Sequence, residues 1–279
     1  MQTEKEIKEM VRQKYSGIAL QDKAGNQASC CGSGGCSAEV YNIMTDDYSG
    51  MEGYHHDADL GLGCGLPTQF AKIMPGDTVI DLGSGAGNDC FIARAETGET
   101  GKVIGIDFTP AMIELARKNN DARGFNNVEF RQGDIENIPV ASETADVIVS
   151  NCVLNLVPDK EAVIRDIFRV LKKGGHFSIS DIVLEGELPQ KIREAAEMYA
   201  GCVSGAIQKE VYLELIRVSG FTGVTIQKEK AIVVPDDILS RYLTAEEIAQ
   251  FRKSGAGITS VTVYAEKPGT VCCAPGCCQ

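Results

Sequence analysis

The sequence predicts an α/β protein built on a doubly wound, mostly parallel sheet of seven strands, with a C-terminal α+β extension. Three observations carry this reading. Short apolar runs of strand length recur from residue 78 to residue 181, segments of helical period separate them, and a glycine turn closes the first run. Strands alternating with helices at such spacing form a parallel sheet with helices on both faces.

Taken in order, Ile7, Met10, Val11 and Tyr15 fall at helical spacing, so residues 1 to about 20 form a helix. Cys30-Cys31-Gly32-Ser33-Gly34-Gly35-Cys36 follows; its glycines leave too little side chain to pack, which makes it a loop carrying three thiols. Thr78 to Leu82 is the first strand, and beyond its glycine turn a helix runs through Cys90 to Ala93. Val103 to Asp107 is the second strand, followed by a helix that Thr109 can cap with Pro110 at its first position. Val128 to Phe130 and Ala145 to Ser150 are the third and fourth strands. Glu161 to Leu171 reads as a helix stopped by Lys172-Lys173-Gly174-Gly175, a basic last turn with a glycine terminator. Phe177 to Asp181 is the fifth strand, residues 189 to 220 are largely helical, and Val224 to Lys228 and Thr259 to Glu266 are the remaining strands. The last dozen residues, from Pro268 through Cys272, Cys273, Cys277 and Cys278, are too rich in proline and glycine to pack.

Composition narrows the function. With 43% hydrophobic and 24% charged residues, the chain of 279 is an ordinary globular one. A formal net charge of −12 excludes a polyanionic partner such as nucleic acid, which needs a basic face. No apolar run is long enough to span a membrane. The charged N-terminus lacks the apolar core of a signal peptide, so a cytoplasmic location is expected. Eleven cysteines are the anomaly, since a chain of this size needs no disulfides and an odd number cannot all pair within it. They point to soft-ligand binding or redox chemistry.

Asp81-Leu82-Gly83-Ser84-Gly85-Ala86-Gly87 ends the first strand and opens a helix, so backbone can approach a ligand closely there. Asp107, at the end of the second strand, lies beside this loop and can accept two ribose hydroxyls. A dinucleotide loop would read G-x-G-x-x-G and seat a pyrophosphate on the helix N-terminus. Here the loop is G-x-G-x-G behind an aspartate that repels phosphate, whereas S-adenosylmethionine has no phosphate and a cationic end that suits Asp81. DLGSGAG followed by GIDFTPAMI resembles the class I methyltransferases. That resemblance implies a cofactor site of Asp81, Gly83, Ser84, Gly85, Asp107 and Met112. It also implies that Asp134 and Ile135 form the acidic turn at the adenine and that Asn151 lines the methyl-transfer centre; as a structural alternative, Asp134 caps a helix.

Three further cysteines resist a core-packing account. Cys64 lies in the glycine-flanked loop Gly61-Leu62-Gly63-Cys64-Gly65-Leu66-Pro67, and Cys152 follows the fourth strand, where residues face the ligand crevice of a parallel sheet. Cys202 stands near Gly201 and Gly205, in a segment able to fold over that crevice. Cys90, by contrast, sits inside a helix beside Phe91 and Ile92, where packing explains it. The segments DLGLGCGLP, DLGSGAGNDCF, GIDFTPAMI, SNCVLNLVPDK and YAGCVSGA, spanning roughly residues 57 to 205, closely resemble the arsenite methyltransferases. The resemblance implies that Cys64, Cys152 and Cys202 bind arsenic(III), supplied as arsenite or its thiol conjugates. It implies too that Cys30 or Cys31 forms a disulfide with Cys64, reopened by thioredoxin or another thiol reductant. Aromatic residues that animal and algal members carry before the first site cysteine are replaced here by Gly61, Leu62 and Gly63.

The chemistry suits these residue types, because arsenic(III) is soft and binds thiolates. No proton leaves the nucleophile, so no general base is needed, and His55 and His56 read as parts of a solvated loop. The expected organisation is an N-terminal helix and cysteine-rich loop over 1–56, a cofactor-binding domain over 57–185, a cap region binding arsenic over 186–267, and a flexible tail over 268–279 whose thiols could capture arsenic. Two other functions compete: methyl transfer to a small organic molecule, with incidental cysteines, and non-catalytic metalloid binding.

Overall fold

The computed structural model describes residues 4–20, 45–191, 205–240 and 242–269. Among the described residues, no helix is long and apolar enough to cross a membrane. Seven strands form one sheet in the order β3-β2-β1-β4-β5-β7-β6. In chain order they are β1 (Thr78–Leu82), β2 (Lys102–Asp107), β3 (Val128–Gln132), β4 (Ala145–Asn151), β5 (Leu171–Glu185), β6 (Thr222–Ile232) and β7 (Gly257–Glu266). Strands β1 to β5 are parallel, while β7 runs antiparallel to both β5 and β6.

The central strand explains why the apolar runs are continuous rather than alternating. Val79, Ile80 and Leu82 are fully buried, with Val79 in the cluster on one face and Ile80 and Leu82 in that on the other. A strand covered on both faces must be apolar on both. Helices α1 (Glu4–Ile18), α2 (Pro67–Phe70), α3 (Asn88–Thr97), α4 (Pro110–Asp121), α5 (Lys160–Val170), α6 (Lys209–Val218), α7 (Asp236–Leu239) and α8 (Ala245–Ser254) supply the layers. Phe91 of α3 anchors one face with Phe130, and Val163, Ile164 and Ile167 of α5 with Tyr212 and Ile216 of α6 anchor the other.

Two local expectations are corrected. The helix before β5 ends at Val170, because Leu171 is already extended (φ −65°, ψ 138°) and pairs with Ala145. Lys172-Lys173-Gly174-Gly175 therefore lies within β5, where the register shifts between Ala145 and Val147, and does not terminate a helix. Burial of Leu171 outweighs the local stop signal. Thr109 does occupy the N-cap of α4 with Pro110 behind it, yet its side chain makes no capping bond. The helical reading of 189 to 220 holds for α6; residues 192–204 lie outside the described ones.

From β1 the chain winds outward to β2 and β3, then returns to β4 on the other side of β1. At such a switch point the carboxyl ends of the two central strands part and leave a crevice.

Candidate functional site

That crevice, about 1070 Å³ with the open solvent at its mouth included, receives the ends of β1, β2 and β4 together with residues of α1 and α4. Gly83 and Ser84 both donate their amides to Ile106 O, at 2.7 and 2.9 Å, which folds the glycine turn back over β2. Gly83 holds φ +73°, and a Cβ there would come within 2.3 Å of Val153 Cγ2. Only glycine allows both. Asp107 accepts from Gly85 N at 3.0 Å and Thr109 N at 2.8 Å, so it lies beside the turn as its place in β2 implied.

Asp89 and Asp107 line the crevice, and Asp81 lies buried behind its wall, close enough to feel the charge of both. Burial pushes Asp81 well above the ordinary carboxylate range, and the neighbouring charge of Asp89 adds to this. Asp89 is pushed up to about 6 by burial, against hydrogen bonds from Tyr48, Asn151 and Thr68. Asp107 is also raised by burial, against the amides of Thr109 and Gly85. Their donors are neutral: Cys90 Sγ reaches Asp81 Oδ2 at 3.2 Å, and Tyr48 Oη reaches Asp89 Oδ2 at 2.9 Å. Close buried acids raise one another's pKa, and a cation placed among them relieves the cost. Ser84 Oγ and Asn88 Oδ1 are buried without a hydrogen-bond partner and lie at the same wall. The donor set thus fits a ligand with one cationic end and further hydrogen-bonding groups, as S-adenosylmethionine has.

Asp134 caps the single turn Ile135–Asn137, accepting from Glu136 N at 3.0 Å, and it also lines the crevice. The cap that the sequence offered as a structural alternative is therefore present. Lys8 of α1 bridges Asp134 at 2.7 Å and also pairs with Glu136. With Val11 and Tyr15, this places α1 over the crevice mouth. Met112 and Ile135 are buried beneath it.

On the far side lies the cysteine loop. Cys64 is fully buried, and its amide donates to Asn151 Oδ1 at 3.0 Å. Asn151 Nδ2 donates to Gly65 O at 2.9 Å and to Tyr48 Oη. Added Cβ atoms at Gly63 and Gly65 would each come within 2.6 Å of a neighbour, Asn151 Nδ2 and Ser180 Oγ respectively. The glycines flanking Cys64 therefore let this loop press against the ends of β4 and β5. Cys152 follows β4 with its amide on Ser180 O at 2.8 Å, and it lines the crevice. Its φ of +61° is a left-handed value that costs a non-glycine residue about 1–2 kcal/mol. Strain of this kind collects at functional positions. Cys64 and Cys152, distant in sequence, belong to one buried cluster with Ile182 and Leu184. Cys30, Cys31, Cys202 and the four tail cysteines lie outside the described residues. Among the described residues Cys64, Cys90 and Cys152 are in no disulfide. Burial, then the charge of Asp81, pushes the Cys90 thiol up, and it is fully enclosed. His55 is less solvated than its loop suggested, since it meets Phe91 edge-on at 6.0 Å.

Sequence reasoning missed Lys8, Tyr48 and Asp89. Asp89 carried a signal, lying just past the glycine turn and one turn of helix before Ala93. Lys8 and Tyr48 carried none, because their partners are far away in the chain.

A doubly wound sheet with this acidic crevice at its switch point defines a methyltransferase that uses S-adenosylmethionine. Residues 73–220 match a family described as a methyltransferase domain. The chain is 41% identical over 276 residues to an arsenite methyltransferase of Halobacterium salinarum, covering 94% of this chain and 67% of that protein. The human arsenite methyltransferase is 33% identical over 241 residues, 83% of this chain and 62% of its own length. Among solved structures, an arsenic(III) S-adenosylmethionine methyltransferase from Chlamydomonas reinhardtii superposes with a TM-score of 0.62 at 31% identity, covering 82% of this chain and 73% of that one. The chain thus spans about two thirds of the length of these curated relatives. It belongs to the arsenite methyltransferase family.

Proposed function

We propose that this chain transfers the methyl group of S-adenosylmethionine to arsenic(III) held by the thiolates of Cys64, Cys152 and Cys202. The observation that carries the reading is the burial of Cys64 and Cys152 in one cluster, with Cys152 strained at φ +61° and facing the cofactor crevice. The residue between crevice and thiols is Asn151, which lines one and holds the amide of the other.

When bound, the cofactor supplies an electrophilic methyl group on a sulfonium sulfur. Asp89 would hold the cationic end with the charge of the buried Asp81 behind it, Gly83, Ser84 and Gly85 would present the turn, and Asp107 would accept from the ribose. Asp134, Ile135 and Met112, which line the same crevice, would hold the base. Three sulfurs leave arsenic pyramidal with its lone pair free, and thiolates donate charge to it. The chain's task is then to hold lone pair and methyl in line, which supplies several kcal/mol of the barrier. No side chain has to remove a proton.

Attack by the lone pair oxidises arsenic from the trivalent to the pentavalent state. Two electrons return when Cys64 and either Cys30 or Cys31 close to a disulfide, which thioredoxin or another thiol reductant reopens. Such a cycle suits a reducing compartment such as the cytoplasm. Incubating the purified chain with arsenite, methyl-labelled cofactor and a dithiol should give labelled methylated arsenic on chromatography. Label that never reaches arsenic would refute the reading. A disulfide map after one turnover without reductant tests the redox pair, which fails if no bridge includes Cys64.

A further inference from the structure

A second group of buried polar atoms lies away from the cofactor crevice. Asp181 stands in β5 one residue past the last pairing with β4, Asn151 to Ser180, and is fully buried. Asn155 Nδ2 donates to Asp181 Oδ1 at 2.8 Å and to Ile182 O at 2.7 Å, and Ile182 N donates to Asp181 Oδ1 at 3.0 Å. The other oxygens, Asp181 Oδ2 and Asn155 Oδ1, are buried with no hydrogen-bond partner, as is Tyr212 Oη of α6. Each such atom costs about 1–3 kcal/mol if nothing ever reaches it, and folded proteins keep few of them.

This group sits beside the thiols. Cys152 donates its amide to Ser180 O, next to Asp181, and Ser260, which pairs with Ile182, donates its hydroxyl to Cys64 O. Burial pushes the Tyr212 phenol up, and the nearby charges of Asp181, Cys64 and Cys152 push it further. Lys160, half-buried at the start of α5, is the cation that faces Asp181. Gly205, three residues after Cys202 in the chain, packs so closely on Asn155 that a Cβ would lie 1.9 Å from its carbonyl oxygen.

Although Asp181 also accepts from the Leu154 backbone, two acceptor oxygens and one phenol are left over, and they match what a small hydroxylated ligand needs, because a hydroxyl both donates and accepts. An apolar wall would suit a thioether or a methylated metalloid but would leave these atoms unsatisfied. Arsenite in water is the neutral hydroxide of arsenic(III), and a hydroxyl must leave for every thiol that joins it. We propose that Asp181, Asn155 and Tyr212 form a hydroxyl-binding site that receives the group displaced from arsenic as Cys64 and Cys152 take its place, an assignment that rests on the arsenic reading above. In each exchange an S–H and an As–O bond break, an As–S bond forms, and the thiol hydrogen departs with the hydroxyl as water. Arsenic stays trivalent, and nothing is oxidised.

The test compares two probes whose leaving groups differ. Arsenic uptake by the full chain, followed by stopped-flow absorbance of the arsenic–thiolate bonds, is measured with sodium arsenite and with the preformed glutathione conjugate of arsenic. Asp181→Asn and Tyr212→Phe should each slow uptake from arsenite by up to about tenfold, the worth of one or two hydrogen bonds, and uptake from the conjugate by less than about twofold. Tyr212→Phe should melt no lower than the parent chain, since the hydroxyl it removes has no partner in the fold, so it decides the matter if Asp181→Asn fails to fold. Equal slowing with both probes, or no slowing with arsenite, would overturn the assignment. A parent chain that takes arsenic from neither probe would instead remove the arsenic reading itself.

Discussion

Replacing Asn151 with alanine tests whether this one side chain ties the cysteine loop to the cofactor crevice. Asn151 Oδ1 is the acceptor for Cys64 N at 3.0 Å, and Nδ2 donates to Gly65 O at 2.9 Å. The single hydroxyl hydrogen of Tyr48 can then serve Gly65 O at 3.1 Å or Asp89 at 2.9 Å, but not both. The Cys64 amide loses its acceptor outright, and that loss sets the lower bound on the cost. An orphaned amide costs about 1–3 kcal/mol, and the truncated side chain leaves a small void worth about 1 kcal/mol more. The sum is about 2–4 kcal/mol. At roughly 2–3 °C per kcal/mol for a chain of this size, the ligand-free protein should melt roughly 5–10 °C lower by scanning calorimetry. Asn151→Asp keeps an oxygen for Cys64 but sets a second carboxylate beside Asp89, so its deficit should grow as pH rises through about 6, where Asp89 loses its proton. A melting shift below about 2 °C for Asn151→Ala would show that the loop is held by other contacts. That result would refute the link drawn between the two halves of the site.

Three further outcomes follow from the same structure. At Cys152, with φ +61°, glycine should be more stable than alanine by about 0.5–1 kcal/mol in denaturant melts, reversing the usual order; alanine at or above glycine would mean the strain is not real. Cys90→Ala should leave the arsenic stoichiometry unchanged while weakening cofactor binding, because its thiol bonds Asp81 and it is enclosed away from the cysteine loop; loss of bound arsenic would contradict this. Asp89 and Asp181 titrate near 6 and 7 in the folded chain against an ordinary 3.8. Between those values the folded state holds protons that the unfolded state has released, so these groups make the ligand-free protein less stable as pH rises through that window. Asp89→Asn should flatten the lower part of that pH dependence in melting curves, and an unchanged slope would place the titration elsewhere.

What the sequence determined by itself is local in origin. The apolar run at Thr78 to Leu82, the glycine turn after it and the acid closing Val103 to Asp107 each depend on residues adjacent in the chain, and a parallel sheet brings the last two together by rule. The motif around Cys64 and the cysteine after β4 were legible for the same reason. Tertiary structure decided the rest. Lys172 to Gly175 reads as a helix stop, yet Leu171 pairs with Ala145 and draws the segment into β5. Tyr48 reaches Asp89 and Asn151 across 41 and 103 residues, and Lys8 reaches Asp134 across 126. Asn155 meets Asp181 across 26 residues, and Tyr212 comes within reach of that acid's charge because α6 packs on the same face as β5. Periodicity and turn chemistry act between near neighbours and leave a mark in the order of residues. Convergence of distant side chains depends on strand register and on how layers pack, and a single sequence carries no local trace of either.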